Sequence, residues 1–106
     1  MQEITKHILF LGLNDQTTKK QEIDTTQAYN LVFNAIQAVN YDGCTISEST
    51  GLYKHNDGFF VIEKSLKIEI LFASDDKTKK LIDDLKQKFN QESIALEIQQ
   101  ITSDLI

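Results

Sequence analysis

The stretch that most constrains this 106-residue chain is its middle. From Cys44 to Lys54 apolar and polar residues alternate: Cys44, Ile46 and Leu52 fall in one phase, Thr45, Ser47 and Ser49 in the other. A period of two is that of a half-buried strand. Asn56-Asp57-Gly58 then supplies hairpin-turn chemistry, and Phe59 to Phe72 returns as a second, long strand. A three-residue loop sets Leu52 opposite Ile62, Ile46 opposite Ile68 and Cys44 opposite Ile70. All three pairs share a face, so the register is self-consistent. Gly51 inside the first strand signals a bulge or a close backbone approach.

The flanking segments extend this hairpin into a sheet covered by helices. Lys6 to Leu13 is short, apolar and bounded by Asn14-Asp15, which reads as a first strand; residues 14–23 read as a polar loop. Asp24 and Gln27 form a capping-box arrangement, followed by Ala28, Tyr29, Val32, Phe33, Ile36 and Val39 at helical spacing. Asn40-Tyr41-Asp42-Gly43 ends that helix. Ser74 caps a second helix with Asp75 and Asp76 in its first turn, Leu81, Ile82, Leu85 and Phe89 as its stripe, and Asn90 as its stop. Ser93 to about Ile101 alternates as a last strand, with Ile94, Leu96 and Ile98 in phase, and the final residues are expected to be loosely held. The order β-α-β-β-α-β predicts one α+β domain over residues 1–106. Its fold is a ferredoxin-like sandwich, a four-stranded antiparallel sheet ordered 4-1-3-2 with both helices on one face.

Composition excludes several function classes. The longest apolar run, Ile8 to Leu13, is far short of the roughly 20 residues a membrane span needs. The first residues, MQEITKH, carry no signal-peptide pattern, so a cytoplasmic location is expected. Sixteen acids against eleven lysines, with no arginine, argue against direct nucleic-acid binding. Cys44 has no cysteine to pair with, and two histidines at no ligand spacing make zinc improbable. No metal or cofactor is expected. No phosphate loop, dinucleotide fingerprint or nucleophile elbow is present.

Six residues have types that catalysis recruits: His7, His55, Glu48, Glu63, Cys44 and Tyr53. His55, beside Asp57, reads as an exposed hairpin-tip residue, and His7 as a satisfied edge or surface residue. Glu48 and Glu63 lie in paired strands. Pointing into one groove they would permit acid–base work; otherwise they pair with Lys64, Lys67 or water. The first strand is apolar in both phases, Ile8 and Phe10 in one and Leu9, Leu11 and Leu13 in the other. One phase must meet the helices. The other, taken as Leu9, Leu11 and Leu13 with Leu71 beside them, would be open in a monomer, so a homo-oligomer is expected to cover it.

The run Gly43-Cys44-Thr45-Ile46-Ser47-Glu48-Ser49-Thr50-Gly51 resembles the second strand of PII-type nitrogen-regulatory proteins. Leu66-Lys67-Ile68-Glu69-Ile70-Leu71, followed by Asp75-Asp76, resembles their third strand and the start of their second helix. The resemblance covers roughly residues 4–90. It implies a non-enzymatic trimer that senses adenine nucleotides and 2-oxoglutarate in clefts between subunits, with a long loop for target proteins. By position, Thr45, Gly51 and Leu52 would border the cleft, and Lys54 falls where the family has an arginine. Here the long loop is reduced to the turn around Asn56-Asp57-Gly58. Tyr53 replaces a small residue and could fill the cleft. Phe89-Asn90-Gln91-Glu92-Ser93 stands where the family has a glycine-rich phosphate loop.

Those departures predict little ATP binding. They favour a protein partner, met through His55, Asn56, Asp57 and Phe59 at the hairpin tip or through the acidic second helix. The leading expectation is a non-enzymatic PII-like regulatory module, dimer or trimer, with Thr45, Gly51, Leu52, Tyr53 and Lys54 as its possible cleft. An inhibitor with an acidic ridge of Asp75, Asp76, Asp83, Asp84 and Glu92 that occupies a partner's nucleic-acid site is a second reading. A small enzyme with an interface cleft is a third, and a buried pair of Glu48 or Glu63 with a histidine would favour it.

Overall fold

The computed structural model describes residues 2–106. Its elements are β1 (Gln2–Gly12), α1 (Thr25–Ala38), β2 (Thr45–Lys54), β3 (Phe60–Ile70), α2 (Asp75–Lys88) and β4 (Ala95–Ser103). The four strands form one antiparallel sheet in the order β2-β3-β1-β4, the ferredoxin-like α+β arrangement read from the sequence. The hairpin register also holds: Leu52 pairs with Ile62 and Ile46 with Ile68. Asp24 caps α1 by accepting the Gln27 N–H. Ser74 sits at the cap position of α2, but its side chain makes no capping bond. Its main chain instead engages the Tyr41 hydroxyl, which accepts the Ser74 N–H at 2.9 Å.

Leu9, Leu11 and Leu13 belong to the helix-facing core, not to an open interface face. They lie at 0–2% exposure against Val32, Ala35, Leu81 and Leu85. The physical reason lies on β3, where Leu66, Ile68 and Ile70 face the helices, and β1 pairs Leu9 with Ile68 and Leu11 with Leu66. Residues paired across antiparallel strands point the same way, so the leucines follow. The opposite phase carries Ile4, Lys6, Ile8 and Phe10, with an Lys6–Glu69 ion pair at 2.8 Å. Leu71, just past β3, stays 38% exposed. On α1 the buried stripe runs through Ala28, Val32, Ala35 and Ile36, which leaves Phe33 largely outside.

His7 is fully buried, not a surface residue. β1 begins at Gln2 rather than Lys6, so His7 sits mid-strand under α2. Its Nδ1 lies 2.7 Å from Thr78 Oγ1, and Thr78 Oγ1 lies 2.7 Å from the Tyr41 hydroxyl. Polar groups this deep must be paired, and this short chain of contacts ties β1, α2 and the turn after α1 together. Among the described residues no helix is long and apolar enough to cross a membrane.

Candidate functional site

β2 and β3 run past the rest of the sheet. β1 last meets β3 at Gly12–Ser65, whereas β2 and β3 pair on as far as Lys54–Phe60. The root of this two-stranded arm, the loop after β1 and the α2–β4 turn enclose a cleft of about 240 Å³. Tyr53, Lys54, His55, Glu63 and Glu92 line it.

Two glycines make room for its side chains. A Cβ on Gly12 would stand 2.5 Å from Glu63 Oε1, so the carboxylate lies directly across β1 and would have to shift for any larger residue. A Cβ on Gly51 would collide with the Tyr53 ring, whose edge atoms occupy that space. The close approach signalled by Gly51 is therefore that of the neighbouring tyrosine, two residues along on the same face of the strand.

Glu63 is 6% exposed and accepts the Asn14 N–H at 2.9 Å on Oε2. No lysine forms an ion pair with it among the described residues. Burial pushes its carboxyl above the usual range, against the pull of the Asn14 bond and of His55; Glu92 pushes the same way as burial. His55 is also 6% exposed, because it folds back from the arm onto the α2–β4 turn, its Nδ1 3.1 Å from Glu92 Oε1. That removes it from the exposed tip; its Nε2 is buried and has no hydrogen-bond partner. Asn56, Asp57 and Phe59 do remain exposed. The Phe59 N–H and Lys19 hold Asp57 below its ordinary value.

Of the five cleft residues expected, the structure brings Tyr53 and Lys54 together and places Gly51 beneath the tyrosine. Leu52 points to the other side of the arm, 66% exposed. Thr45 is at the far end of β2, where it lines a separate hollow of about 430 Å³ with Tyr41, Cys44, Leu71 and Lys77. Burial raises the Cys44 thiol there. Glu48 and Glu63 diverge: alternation sends Glu48 to the opposite face, 3.5 Å from Lys64. Glu92 and Gln91, which complete the cleft, are sequence positions where only a missing phosphate loop is visible. Asp83 and Asp84 are matched by Lys79 and Lys88 along α2, so that part of the helix presents both signs of charge. No cluster of three or more His, Cys, Asp or Glu that could hold a metal occurs among the described residues.

Residues 6–104 match the family model described as a protein of unknown function, DUF3574. The chain belongs to that family. No curated protein matches it significantly. Among solved structures, a phage SAM lyase in complex with S-methyl-5'-thioadenosine superposes with a TM-score of 0.70 at 24% identity, over 94% of this chain and 90% of that one. CPII, a nitrogen regulatory PII-like protein from Thiomonas intermedia K12 bound to ADP, AMP and bicarbonate, gives 0.58 at 13% identity, covering 99% and 98%. CutA from Synechococcus elongatus PCC7942 gives 0.59 at 10% identity, covering 95% and 79%. The DUF3574 chain has the fold of the PII-like and CutA proteins, as its strand motifs implied.

Proposed function

We propose that the Glu63 cleft binds a positively charged adenosyl ligand of the S-adenosylmethionine class, and not a nucleoside polyphosphate. The observation that carries this reading is a buried carboxylate with which no lysine forms an ion pair among the described residues. A carboxylate held that way is stabilised by a cation that enters the cleft with the ligand. A sulfonium supplies one; a triphosphate brings the wrong sign to Glu63 and Glu92 and would find only Lys54. Tyr53 offers an aromatic face for a cation or a base. The phage lyase of the same fold holds a thioadenosine, what remains of S-adenosylmethionine once its sulfonium has lost the four-carbon chain.

Turnover is a second reading, and the pairing of buried Glu63 with His55 in one cleft favours it. A carboxyl and an imidazole facing one cleft are groups of the kind that proton transfer uses. Calorimetry with S-adenosylmethionine and ATP, followed by mass spectrometry of the incubated mixture, tests both readings. Binding with no new product makes this a sensor module of the PII-like kind. Release of S-methyl-5'-thioadenosine makes it a lyase. Saturable ATP binding with none of the sulfonium would reject the cation reading.

We also propose a homo-oligomer, carried by the arm rather than by β1. Leu52, Phe60 and Ile62 share one face of the arm at 64–74% exposure, with Phe59 beside them. A bare two-stranded ribbon with such a face is marginal in water. Ile62→Lys should dissociate the assembly, as read by light scattering. A wild-type monomer at micromolar concentration would remove the argument.

A further inference from the structure

We infer that Gln91 is a positioning residue for Glu63, acting through the main chain of Asn14. Its Nε2 donates to the Asn14 carbonyl at 2.6 Å, and the N–H of that same residue donates to Glu63 Oε2 at 2.9 Å. The two groups lie in adjacent peptide planes joined at the Asn14 Cα, so tethering the carbonyl leaves the N–H only that residue's φ and ψ to turn about. The α2–β4 turn is shaped for this. Asn90 takes a left-handed conformation, φ 48°, which a short polar side chain tolerates and which turns Gln91 back toward the loop. Gln16 binds the same turn twice, N–H to the Asn90 carbonyl at 3.0 Å and Nε2 to Asn90 Oδ1 at 2.9 Å.

The carboxylate has few other supports. Tyr53, Lys54 and His55 face the cleft from β2 and its turn, and Glu92 from the α2–β4 turn. Among the described residues, the Asn14 N–H is the donor recorded on Glu63. A hydrogen bond to a carboxylate favours its charged form, so loosening Asn14 removes a stabiliser of the anion and leaves burial and Glu92 to oppose it. Gln91 thus has a lever on the charge in the cleft without being a ligand of Glu63.

The test uses the full chain with Gln91→Met, which keeps length and bulk and removes the donor, and Gln91→Ala beside it. The Glu63 carboxyl carbon is titrated by NMR, and S-adenosylmethionine binding is measured at a pH below the wild-type Glu63 midpoint and at one where Glu63 is charged in every variant. In both variants the Glu63 titration should move to higher pH. At the lower pH binding should weaken about fivefold and recover at the higher pH, the equivalent of one hydrogen bond. An unmoved Glu63 titration in folded Gln91→Met would overturn the inference, as would unfolding of both variants, which would make Gln91 a purely structural tie. The binding arm rests on the cation reading of the cleft and the titration arm does not. A shifted titration with no wild-type binding would keep the positioning role and reject that reading.

Discussion

Glu63→Gln should make this protein more stable, and only where the native residue is charged. The wild-type carboxylate is 6% exposed, accepts one N–H and forms no ion pair with a lysine among the described residues. The amide has the same shape and can still accept from Asn14. Relieving the desolvation of a buried charge gains about 2 kcal/mol, and exchanging a charge-assisted bond for a neutral one loses about 1, a net gain of about 1 kcal/mol. Unfolding entropy near 2.1 cal/mol/K per residue converts that to a rise in Tm of about 4 °C for a chain of this size. The pH dependence follows from the direction of the shift. The Glu63 carboxyl is raised in the folded state, so wild-type stability is fully present below the unfolded value and is lost as pH rises through the folded one. The Glu63→Gln variant lacks that loss, so the two melting curves should converge near pH 4 and separate toward pH 8. Calorimetric melts across that range measure it, with S-adenosylmethionine binding lost in parallel. A variant less stable than wild type at pH 8, or a gain independent of pH, would refute the account of Glu63.

Three further perturbations follow from the same geometry. Gly12→Ala puts a methyl into the Glu63 carboxylate, the mobile end of a side chain; the protein should stay folded while ligand affinity falls about tenfold, as calorimetry would show. Tyr41→Phe leaves the Ser74 N–H without its acceptor and removes a partner of Thr78, a loss of about 1–3 kcal/mol measurable by urea unfolding. Leu85→Asp places an unpaired carboxylate at 0% exposure; that costs several kcal/mol against a total of about 5–15 kcal/mol, and circular dichroism should show no cooperative melt.

The hairpin can be read from sequence because three cross-strand pairs agree on one register, and a slip by one would reverse every side chain. The facing of β1 cannot be read from β1 itself. A strand apolar in both phases carries no directional information, and taken alone it puts the leucines on the wrong side. The deciding signal sits on the neighbour: Lys67 and Glu69 mark the open phase of β3, and pairing carries that mark across to Phe10 and Ile8. The cleft is half legible. Glu63, Tyr53 and His55 stand out by type, but their burial depends on contacts from distant segments. Glu92 covers His55 from 37 residues away, and Asn14 reaches Glu63 across 49. Asn90 and Gln91 read only as a helix stop, because a clamp built from amides leaves no composition or periodicity to find.

The buried contacts beneath α2 form one line of protons with two directions open to it. The Ser74 N–H points at the Tyr41 oxygen, leaving that hydroxyl a single proton to give. The Ser74 carbonyl, 2.9 Å away, can take that proton beside the Thr78 N–H it accepts at 3.1 Å, and Thr78 Oγ1 is the alternative acceptor. If the tyrosine gives its proton to Thr78, the threonine gives its own to His7 Nδ1, and the histidine carries hydrogen on Nε2, facing Asp75 Oδ1 at 3.4 Å. If the line reverses, Nδ1 must hold the hydrogen, and a neutral ring would turn a lone pair toward that carboxylate. Two hydroxyl rotors and one tautomer are therefore a single variable, biased by an aspartate whose side chain is 89% exposed. Asp75→Asn, which can present either a donor or an acceptor, removes that bias, and the nitrogen chemical shifts of a fully buried imidazole then report a change made at the surface.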